Sequence, residues 1–229
     1  MRLKLIEKRQ EAPDIYTFIF EPEKTISWQA GQYMIYTLPH ADMDDRKDKR
    51  FFSIASAPRD MNIWLTTRFS PDKSSTFKKA LKDMAIGSEI QAEGPSGGFT
   101  AGIPEEGEIF FIAGGIGITP IRSILIDLES RGKKIKGTLL YASRDNNIVF
   151  KNELVALASH QPDFKISYII DPERITEETI RQSVSDPNKP VYYVSGPEPM
   201  VEAMEKTLAG LGVAGDKIKR DYFPGYDKI

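Results

Sequence analysis

One short stretch of the sequence places unusual chemistry side by side. Residues 50–58 read RFFSIASAP, so an arginine, two phenylalanines and two serines are closely spaced where an ordinary strand would alternate apolar and polar residues. The guanidinium of Arg50 suits a phosphate, and an aromatic face suits a flat heterocycle. The serine hydroxyls can donate or accept hydrogen bonds. The stretch therefore indicates a binding surface rather than a plain strand.

A glycine-rich turn near the middle of the chain is a second place for binding chemistry. In AGGIGITP, three glycines (114, 115 and 117) let the backbone approach a ligand closely. Thr119 and Pro120 predict a capped helix start whose free N–H groups favour an anion. Proline stands where the dinucleotide motif G-x-G-x-x-G would have its last glycine, so the turn does not match that motif. A tight turn without a ligand is the alternative.

A third candidate stretch is SGPEPM. Ser195 and Gly196 are expected to form a turn after a strand, and Pro197 to open the next helix. Because the carboxyl ends of parallel strands meet at one edge of a sheet, this turn and the AGGIGITP turn should form a crevice.

Composition excludes several functional classes. The chain has 31 Lys and Arg against 33 Asp and Glu, so a net charge of −2 gives no reason to expect nucleic acid as a partner. It has no cysteine, which removes thiol nucleophiles, zinc ribbons and cysteine-ligated iron–sulfur clusters. The two histidines, His40 and His160, lie far apart, so no metal site is expected. Redox chemistry would need a bound organic cofactor.

The start of the chain and its hydropathy predict a cytoplasmic protein. MRLKLIEKRQ lacks the apolar segment of a signal peptide, and no stretch approaches the ~18 to 20 apolar residues of a membrane span. We therefore expect no membrane partner.

The elements that must position these residues fall into two halves. Residues 1–102 contain short strands such as IYTFIF, QYMIYTL and NIWLTTRF, separated by turn residues, which predicts a small antiparallel β-barrel. One helix, STFKKALKDM, interrupts them, with Ser75 or Thr76 as its cap. The charged segment DMDDRKDKR at 42–50 is interpreted as a solvated loop.

Residues 103–229 have a different rhythm, in which buried strands alternate with helices. EIFFIAG, IKGTLLYA, FKISYIID, PVYYVSG and KIKRDYF are the expected strands. Nearly continuous apolar strands separated by helices predict a five-stranded parallel α/β domain. The boundary is expected within the turn-rich stretch 100–107.

In their order and spacing these motifs resemble the ferredoxin–NADP reductase-like flavoproteins. RFFS-x-x-S-x-P, the STF helix start, GP-x-GGF, GGIGITP, SGPEPM and a closing aromatic follow one another over essentially the whole chain. Each motif alone is moderately specific, whereas their joint order is highly specific. The resemblance implies FAD on the barrel and NADH or NADPH on the α/β domain, without an iron–sulfur domain.

The resemblance also implies roles for the opening stretch. Arg50 would contact the flavin phosphates, Phe52 the isoalloxazine ring, and Ser53 the flavin N5 atom. Phe52 stands where most relatives have tyrosine, so stacking is kept and one hydrogen bond is lost. The further flavin contacts implied by the family are Ile54, Leu65, Thr66 and Thr67, with Ser75 and Thr76 on the pyrophosphate of FAD.

The family's nucleotide loops fall on the two glycine-containing turns. The implied contacts are Gly114, Gly115, Gly117, Thr119, Pro120, Gly196 and Pro197. Ser195 takes the place of a cysteine that relatives usually have near the nicotinamide.

Nucleotide preference should depend on the end of the third strand of the α/β domain. Asp171 resembles the acidic residue that NADH-using relatives place near the adenosine ribose. A carboxylate there would repel a 2′-phosphate, which favours NADH. Arg144 and Arg174 could pair with a 2′-phosphate instead, so NADPH stays open.

The end of the chain, DYFPGYDKI, offers two candidates for an aromatic that covers the flavin. Phe223 aligns with the family's closing aromatic, and Tyr226 is the second candidate. Packing of Phe223 at the end of the last strand is the alternative. Ser53, Ser195 and Phe223 are thus the predicted catalytic residues.

The predicted function is a flavin-dependent NAD(P)H oxidoreductase. Hydride would pass from the nicotinamide to bound FAD, and electrons would go on to a separate acceptor such as an iron–sulfur protein or a cytochrome. The alternatives are a reductase of free flavin and, less favoured, a non-catalytic subunit that senses flavin or nucleotide.

Overall fold

Two β-sheets follow each other along the chain. The computed structural model describes residues 1–70, 74–102 and 107–223, and for Phe223 only the backbone. The first sheet has six antiparallel strands and the second has five parallel strands. The predicted fold class, an antiparallel barrel followed by a parallel α/β domain, is confirmed.

The first sheet forms the barrel. Its strands are β1 (Arg2–Ala12), β2 (Ile15–Pro22), β3 (Tyr33–Thr37), β4 (Lys49–Ser53), β5 (Ile63–Arg68) and β6 (Glu89–Ser96). Their order across the sheet is β4-β3-β6-β1-β2-β5, so β4 and β5 are the two edges. The segment after β4 joins those edges, because the Ala55 N–H donates to the Trp64 carbonyl at 2.9 Å. Ser56 Oγ accepts from the Trp64 N–H at 3.1 Å.

Alternating apolar residues fill the barrel interior. Leu3 and Leu5 of β1 and Phe18 and Phe20 of β2 are all fully buried, as the period of two in a strand requires. Helix α1 (Thr76–Asp83) adds Phe77 and Leu81 to this core. The same helix begins where the sequence places Ser75 as its cap.

The second sheet alternates with helices. Its elements are β7 (Ile109–Gly114), α2 (Ile118–Ser130), β8 (Gly137–Ser143), α3 (Lys151–His160), β9 (Phe164–Ile170), α4 (Glu177–Ser183), β10 (Val191–Pro197), α5 (Glu198–Gly210) and β11 (Ile218–Phe223). The strand order is β11-β10-β7-β8-β9. The order reverses direction between β7 and β10, and ligands of such sheets bind at that switch point.

Helix α2 lies between the two sheets and is buried on nearly every side. Ile121 and Ile124 belong to one continuous core that also contains Ala55 and Phe99 from the barrel half. Gly31 of the barrel half shows how close this contact is: its φ is +94°, and a Cβ there would lie 3.0 Å from the Cδ1 atom of Ile124. A shared core fixes the barrel against the second sheet.

Arg122 of α2 is the polar joint between the two halves. Its guanidinium is 1% exposed and donates two hydrogen bonds of 2.6 Å to Glu153. It also donates to the Ala55 carbonyl at 2.7 Å and to Asp60 at 3.2 Å, and it lies 4.2 Å from the centre of the Trp64 ring. One side chain thus links α2 and α3 with the segment between β4 and β5.

The boundary between the halves stays a prediction at residues 102 and 103. The last barrel strand ends at Ser96 and the first strand of the second sheet begins at Ile109. Within residues 1–70, 74–102 and 107–223, no helix is long and apolar enough to cross a membrane.

Candidate functional site

The turns after β7 and β10 touch each other at the switch point of the second sheet. A Cβ on Gly117 would lie 2.3 Å from the Ser195 carbonyl oxygen, and a Cβ on Gly196 would lie 3.2 Å from the Gly114 backbone. Glycine is therefore required at these positions so that the two turns can meet. The crevice predicted from the sequence exists at this edge.

A cleft of about 500 Å³ opens beside these turns. Residues from both sheets form it, since Arg68 lies on β5 of the barrel. Six residues that the sequence analysis associates with the nucleotide line it: Gly114, Gly115, Arg144, Asp171, Arg174 and Pro197. Its volume and its position at the carboxyl edge suit a nucleotide.

Two features of this edge show capacity for a ligand. Gly115 has φ +53° and no atom within 4 Å of where its Cβ would be, so the backbone faces open space. The Ser195 hydroxyl is completely buried and has no hydrogen-bond partner among the described residues. Buried hydroxyls are normally paired, so this orphan fits a site that is completed by a ligand.

Thr119 and Pro120 lie outside the cleft lining. Helix α2 begins at Ile118, with Gly117 as its N-cap, after a short 3₁₀ turn over Gly115–Gly117. The expected capping role of Thr119 is wrong, because Thr119 and Pro120 are buried within the helix and the Thr119 hydroxyl donates to the Ile116 carbonyl at 3.0 Å. The Thr119 side chain therefore stabilises the turn that precedes the helix.

Asp171 and Arg174 form an ion pair on the rim of the cleft. Both side chains are about half exposed or more, and the backbone of Asp171 is held by its N–H bond to the Ser143 carbonyl at 3.0 Å. The Asp171 carboxylate can accept a hydrogen bond from a ribose hydroxyl, and the Arg174 guanidinium can pair with a 2′-phosphate. Geometry alone therefore leaves NADH and NADPH both open.

The barrel meets the second sheet at a buried hydrogen bond. Ser53 at the end of β4 donates to Asp221 of β11 at 2.9 Å. Asp221 is directly opposite Ser195 in the parallel register of β10 and β11. Asp221 thus bonds to one predicted catalytic residue, Ser53, which is 168 positions away in the chain. It is the sheet neighbour of another, Ser195, without a hydrogen bond to the Ser195 hydroxyl.

Burial changes the acidity of Asp221. Loss of solvent around the carboxyl raises its pKa to about 6, although the hydrogen bond from Ser53 opposes that change. The ordinary value is 3.8, so this carboxyl can gain or lose a proton near neutral pH. The Ser53–Asp221 pair can hold a proton at the junction of the two sheets.

Of the two candidate covering aromatics, the structure describes only the backbone of Phe223. The backbone of Phe223 ends β11 and is paired in register with Pro197 of the neighbouring strand. Tyr226 lies outside the described residues. The choice of covering aromatic stays a prediction.

Arg50 lies buried in contacts of its own loop. Nη1 donates to the carbonyl oxygens of Arg46, Lys47 and Lys49 at 2.8 to 2.9 Å. Nη2 donates to the Asp44 carboxylate at 2.5 Å. The side chain is 4% exposed, so the predicted phosphate ligand is already bonded to protein oxygens.

The start of α1 is engaged by the same carboxylate. Asp44 accepts from the Thr76 N–H at 3.2 Å and from the Thr76 hydroxyl at 3.1 Å. The Thr76 hydroxyl also contacts His40 Nε2 at 2.9 Å, while Ser75 Oγ accepts from the Lys78 N–H at 3.3 Å. The structure thus brings the predicted phosphate-binding residues together, around an aspartate that the sequence did not single out.

The segment 42–50 is therefore more than a solvated loop. The expectation of full solvation is wrong for Arg50 and for Asp44, whose side chain is 24% exposed. Burial raises the pKa of the Asp44 carboxyl, but hydrogen bonds from Arg50 and Thr76 outweigh this and hold the pKa below its ordinary value. Asp44 is ionised at neutral pH.

The remaining predicted flavin contacts are buried around β4 and β5. The Phe52 ring packs against Tyr36 and Phe77 at centroid distances of 5.8 and 6.0 Å. The Thr66 hydroxyl bonds to Thr17 at 2.8 Å. Ile54, Leu65 and Thr67 are fully buried. On β4 the exposed ring is that of Phe51, which is 57% exposed.

Comparison with known proteins agrees with this architecture. Residues 111–206 match the family model described as an oxidoreductase NAD-binding domain. A ferredoxin NADP⁺ reductase from Neisseria gonorrhoeae, solved with bound FAD and NADP, superposes with a TM-score of 0.80 at 18% identity, covering 97% of this chain and 98% of that one. The chain has the fold of the ferredoxin–NADP reductase-like flavoproteins. The resemblance stated from the sequence is confirmed.

The curated relatives that this chain matches include reductases. The reductase component DmpP of phenol 2-monooxygenase from Pseudomonas sp. strain CF600 is 29% identical over 93% of this chain and 61% of its own length. NADH-cytochrome b5 reductase 1 from Debaryomyces hansenii is 34% identical over 61% of this chain and 54% of its own length. The chain thus spans little more than half the length of these relatives. Both names are those of reductases, and the second names NADH.

Several residues of this candidate site were not identified from the sequence. Asp221 could have been noticed as an acid two residues before the closing aromatic Phe223. Asp44 is one of four aspartates in a charged loop, and nothing in the sequence distinguishes it from Asp45. Arg68 on the cleft wall and Arg122 at the joint depend on long-range packing.

Proposed function

We propose that this chain is a flavin-dependent oxidoreductase that takes hydride from NADH or NADPH and passes electrons to a separate acceptor. In this proposal residues 1–102 hold the flavin, and residues 103–229 hold the nicotinamide nucleotide. One observation carries it: Ser53 from the barrel, Asp221 and Ser195 converge where the barrel edge meets the switch point of the parallel sheet. The flavin ring held by the first half and the nicotinamide ring held by the second half would come together there.

The residues at the cleft fit a nicotinamide nucleotide. The backbone at Gly115 faces open space, and the unpartnered Ser195 hydroxyl offers a buried donor for an incoming polar group. Arg144 and Asp171 line the far part of the cleft. The other proposed nucleotide contacts are Gly114, Gly117, Thr119, Pro120, Gly196 and Pro197.

The residues of the barrel edge fit a flavin nucleotide. Arg50 and the start of α1 form a cluster of donors that already holds one anion, the Asp44 carboxylate. Ser53 lies further along the same strand. The other proposed contacts are Phe52, Ile54, Leu65, Thr66, Thr67, Ser75 and Thr76. When bound, the flavin supplies the capacity to accept a hydride and to release electrons one at a time.

The chain itself contributes orientation and a proton site. Contacts across the shared core and the Arg122 joint fix the distance between the two halves, which is what hydride transfer over about 3 to 3.5 Å requires. Ser53 Oγ donates to Asp221, and the raised pKa of that carboxyl keeps a proton available near the junction. The covering aromatic at Phe223 belongs to the same proposal.

NADH is the favoured donor. Asp171 on the cleft rim can accept hydrogen bonds from ribose hydroxyls, and its charge opposes a 2′-phosphate. Its ion pair with Arg174 already balances that arginine. A relative of this chain is named as an NADH-dependent reductase, which supports the same choice.

A separate electron acceptor follows from the same argument. The described residues contain no cysteine and no cluster of three or more potential metal ligands, so a second redox centre must come from elsewhere. Relatives are named as a reductase component of an oxygenase and as a cytochrome b5 reductase. We propose an iron–sulfur protein or cytochrome as the partner.

A reductase of free flavin is the second candidate, and one observation favours it. The predicted phosphate donors Arg50 and Thr76 are already bonded to Asp44, so the flavin would compete for them and could be held weakly enough to leave. In that case flavin would be a substrate rather than a resident group.

The visible spectrum of the purified, desalted protein tests both candidates. A flavin spectrum that bleaches when NADH is added without oxygen supports the proposed reductase with a resident flavin. A colourless protein that oxidises NADH only when flavin is supplied favours the second candidate. A colourless protein that is inactive with NADH and NADPH, even with added flavin, contradicts both and favours a non-catalytic role.

A further inference from the structure

An anion seat at the start of α1 is filled by the chain itself. We define this seat as the Arg50 guanidinium together with the N–H and hydroxyl of Thr76. Asp44 accepts from Arg50 at 2.5 Å, from the Thr76 N–H at 3.2 Å and from the Thr76 hydroxyl at 3.1 Å. A guanidinium combined with a helix N-terminus is also the donor set that phosphate prefers.

A second observation shows that Asp44 does not satisfy the seat. Arg50 Nε is buried and has no hydrogen-bond partner among the described residues, although the side chain is only 4% exposed. A buried N–H without an acceptor is unfavourable. A carboxylate offers two oxygens, whereas a terminal phosphate offers three, so the unpaired donor fits a phosphate ligand better than it fits aspartate.

The position of the seat indicates which phosphate it would take. Arg50 and Ser53 lie three residues apart on β4, a separation of about 10 Å along a strand. Ser53 reaches the junction with the second sheet through Asp221. A ligand with a phosphate at one end and a flat ring at the other, joined by a short sugar-alcohol chain, spans that distance.

We propose that Asp44 is a built-in substitute for the flavin phosphate and that flavin nucleotides bind by displacing it. This inference rests on the proposed function. The loop around Asp44 closes the seat, and its backbone carbonyls at Arg46, Lys47 and Lys49 accept hydrogen bonds from Nη1 of Arg50. Asp44 therefore sets flavin affinity and determines whether flavin stays or exchanges.

Charge is the main element of this competition. The Asp44 carboxyl is ionised at neutral pH, because the bonds from Arg50 and Thr76 lower its pKa despite its burial. An incoming phosphate must replace one negative charge with another, so the net attraction of the seat is reduced. Removing the charge of Asp44 should leave the seat with an uncompensated guanidinium.

The test is a titration of three flavins against matched variants. Dissociation constants for FAD, FMN and riboflavin are measured for the wild-type chain, Asp44→Asn and the control Asp45→Asn, which removes the same charge from the neighbouring exposed residue. Asp44→Asn should bind FAD and FMN about tenfold more tightly, and riboflavin, which lacks phosphate, equally well. Asp45→Asn should match the wild-type chain.

Combining Asp44→Asn with Arg50→Ala checks that the gain depends on the seat. The double variant should lose the gain in FAD affinity while its binding of riboflavin is unchanged. Equal FAD affinity in the wild-type chain and Asp44→Asn would overturn the inference and leave the proposed function standing. An equal gain for riboflavin would also overturn it, since no phosphate is involved. Failure of every variant to bind any flavin would contradict the proposed function itself.

A measurement on the wild-type chain covers the case in which a variant does not fold. Hydrogen exchange is followed at the backbone amides of Asp44 and Thr76 with and without saturating FAD. The Asp44 N–H now donates to the Thr76 hydroxyl at 3.1 Å, so displacement should make it exchange faster while the Thr76 amide stays protected by phosphate. Unchanged exchange at Asp44 on FAD binding would overturn the inference.

Discussion

The two proposed anion sites of this protein differ in what the chain itself places in them. At the proposed nucleotide site, the Gly115 backbone faces open space, and the Ser195 hydroxyl, which does not line the cleft, has no hydrogen-bond partner among the described residues. At the start of α1, Arg50 and Thr76 are bonded to the Asp44 carboxylate. Both sites contain donors suited to a phosphate-bearing ligand. Residue types therefore indicate where an anion can bind. Whether the donors are available depends on a neighbouring loop, here the one that contains Asp44.

The largest expected effect comes from removing the joint that holds the two sites in place. Arg122→Ala should lower the free energy of unfolding by about 3 to 5 kcal/mol, because it leaves Glu153 and Asp60 without their buried partner. Urea denaturation measures this change. It should also slow the reduction of bound flavin by NADH, since the two halves lose their fixed distance.

Arg131→Ala is the matched control for the joint. Arg131 lies on the same stretch of chain and pairs with Asp127, but its side chain is half exposed, so its loss should change the free energy of unfolding by about 0 to 1 kcal/mol. An equal effect of the two substitutions would contradict the role given to Arg122.

The second largest effect is expected from Asp221, at the junction of the two sheets. The pKa of Asp221 is raised from 3.8 to about 6, so the folded state binds the proton more tightly than the unfolded state. Stability from this carboxyl is therefore fully present below about pH 4 and is lost as pH rises through about 6, a change of about 3 kcal/mol. Asp221→Asn should remove that dependence.

Denaturation of both proteins across this pH range checks the Asp221 prediction. The difference in unfolding free energy between Asp221→Asn and the wild-type chain should increase in favour of the variant between about pH 4 and about pH 7. A difference that is constant with pH would show that the carboxyl is not perturbed. The rate of flavin reduction should show an apparent pKa near 6 that the variant lacks.

A third effect tests selectivity in the open site. Asp171→Ser should shift the ratio of kcat/KM for NADH over NADPH by about tenfold toward NADPH, because Arg174 is released to meet a 2′-phosphate. Steady-state kinetics with both nucleotides gives the ratio. Asp163→Ser, just before the opposite end of the same strand, is the control. An unchanged ratio in Asp171→Ser would remove this residue from the ribose site.

The smallest effect compares two buried serines. Within the described part of the chain the Ser195 hydroxyl has no hydrogen-bond partner, whereas Ser123 donates to the Ser56 carbonyl at 2.6 Å. Ser195→Ala should therefore leave the free energy of unfolding unchanged or raise it by up to about 1 kcal/mol, while Ser123→Ala lowers it by about 1 to 2 kcal/mol. Ser195→Ala should also weaken NADH binding. A large loss of stability in Ser195→Ala would show that the hydroxyl is structural.

Much of the fold could be predicted because its signals are local. The period-two burial in β3 and at the start of β1, and the apolar run of β7, are patterns of consecutive residues. The turns after β7 and β10 could also be placed, since parallel strands end at a common edge. The family resemblance then connected those turns with a nucleotide.

Which side chains of the candidate site bond to each other could not be predicted, because most of these contacts join residues that are far apart in the sequence. Asp44 and Asp45 are identical in type and adjacent, yet only Asp44 reaches Arg50 and Thr76. The bond between Ser53 and Asp221 joins residues 168 positions apart. Helix α2 begins at Ile118 because packing of the two glycine turns overrides the cap expected at Thr119. Such outcomes follow from tertiary packing.

Direct hydride transfer within this chain is the central claim, and rapid-mixing spectroscopy tests it most directly. The protein is loaded with FAD, freed of oxygen and mixed with NADH or with NADH deuterated at the transferred position of C4. If hydride passes directly from NADH to FAD, flavin absorbance should bleach at a rate that saturates with NADH concentration and is slower with the deuterated donor. Bleaching that is absent, or equally fast with both donors under every condition, would contradict it.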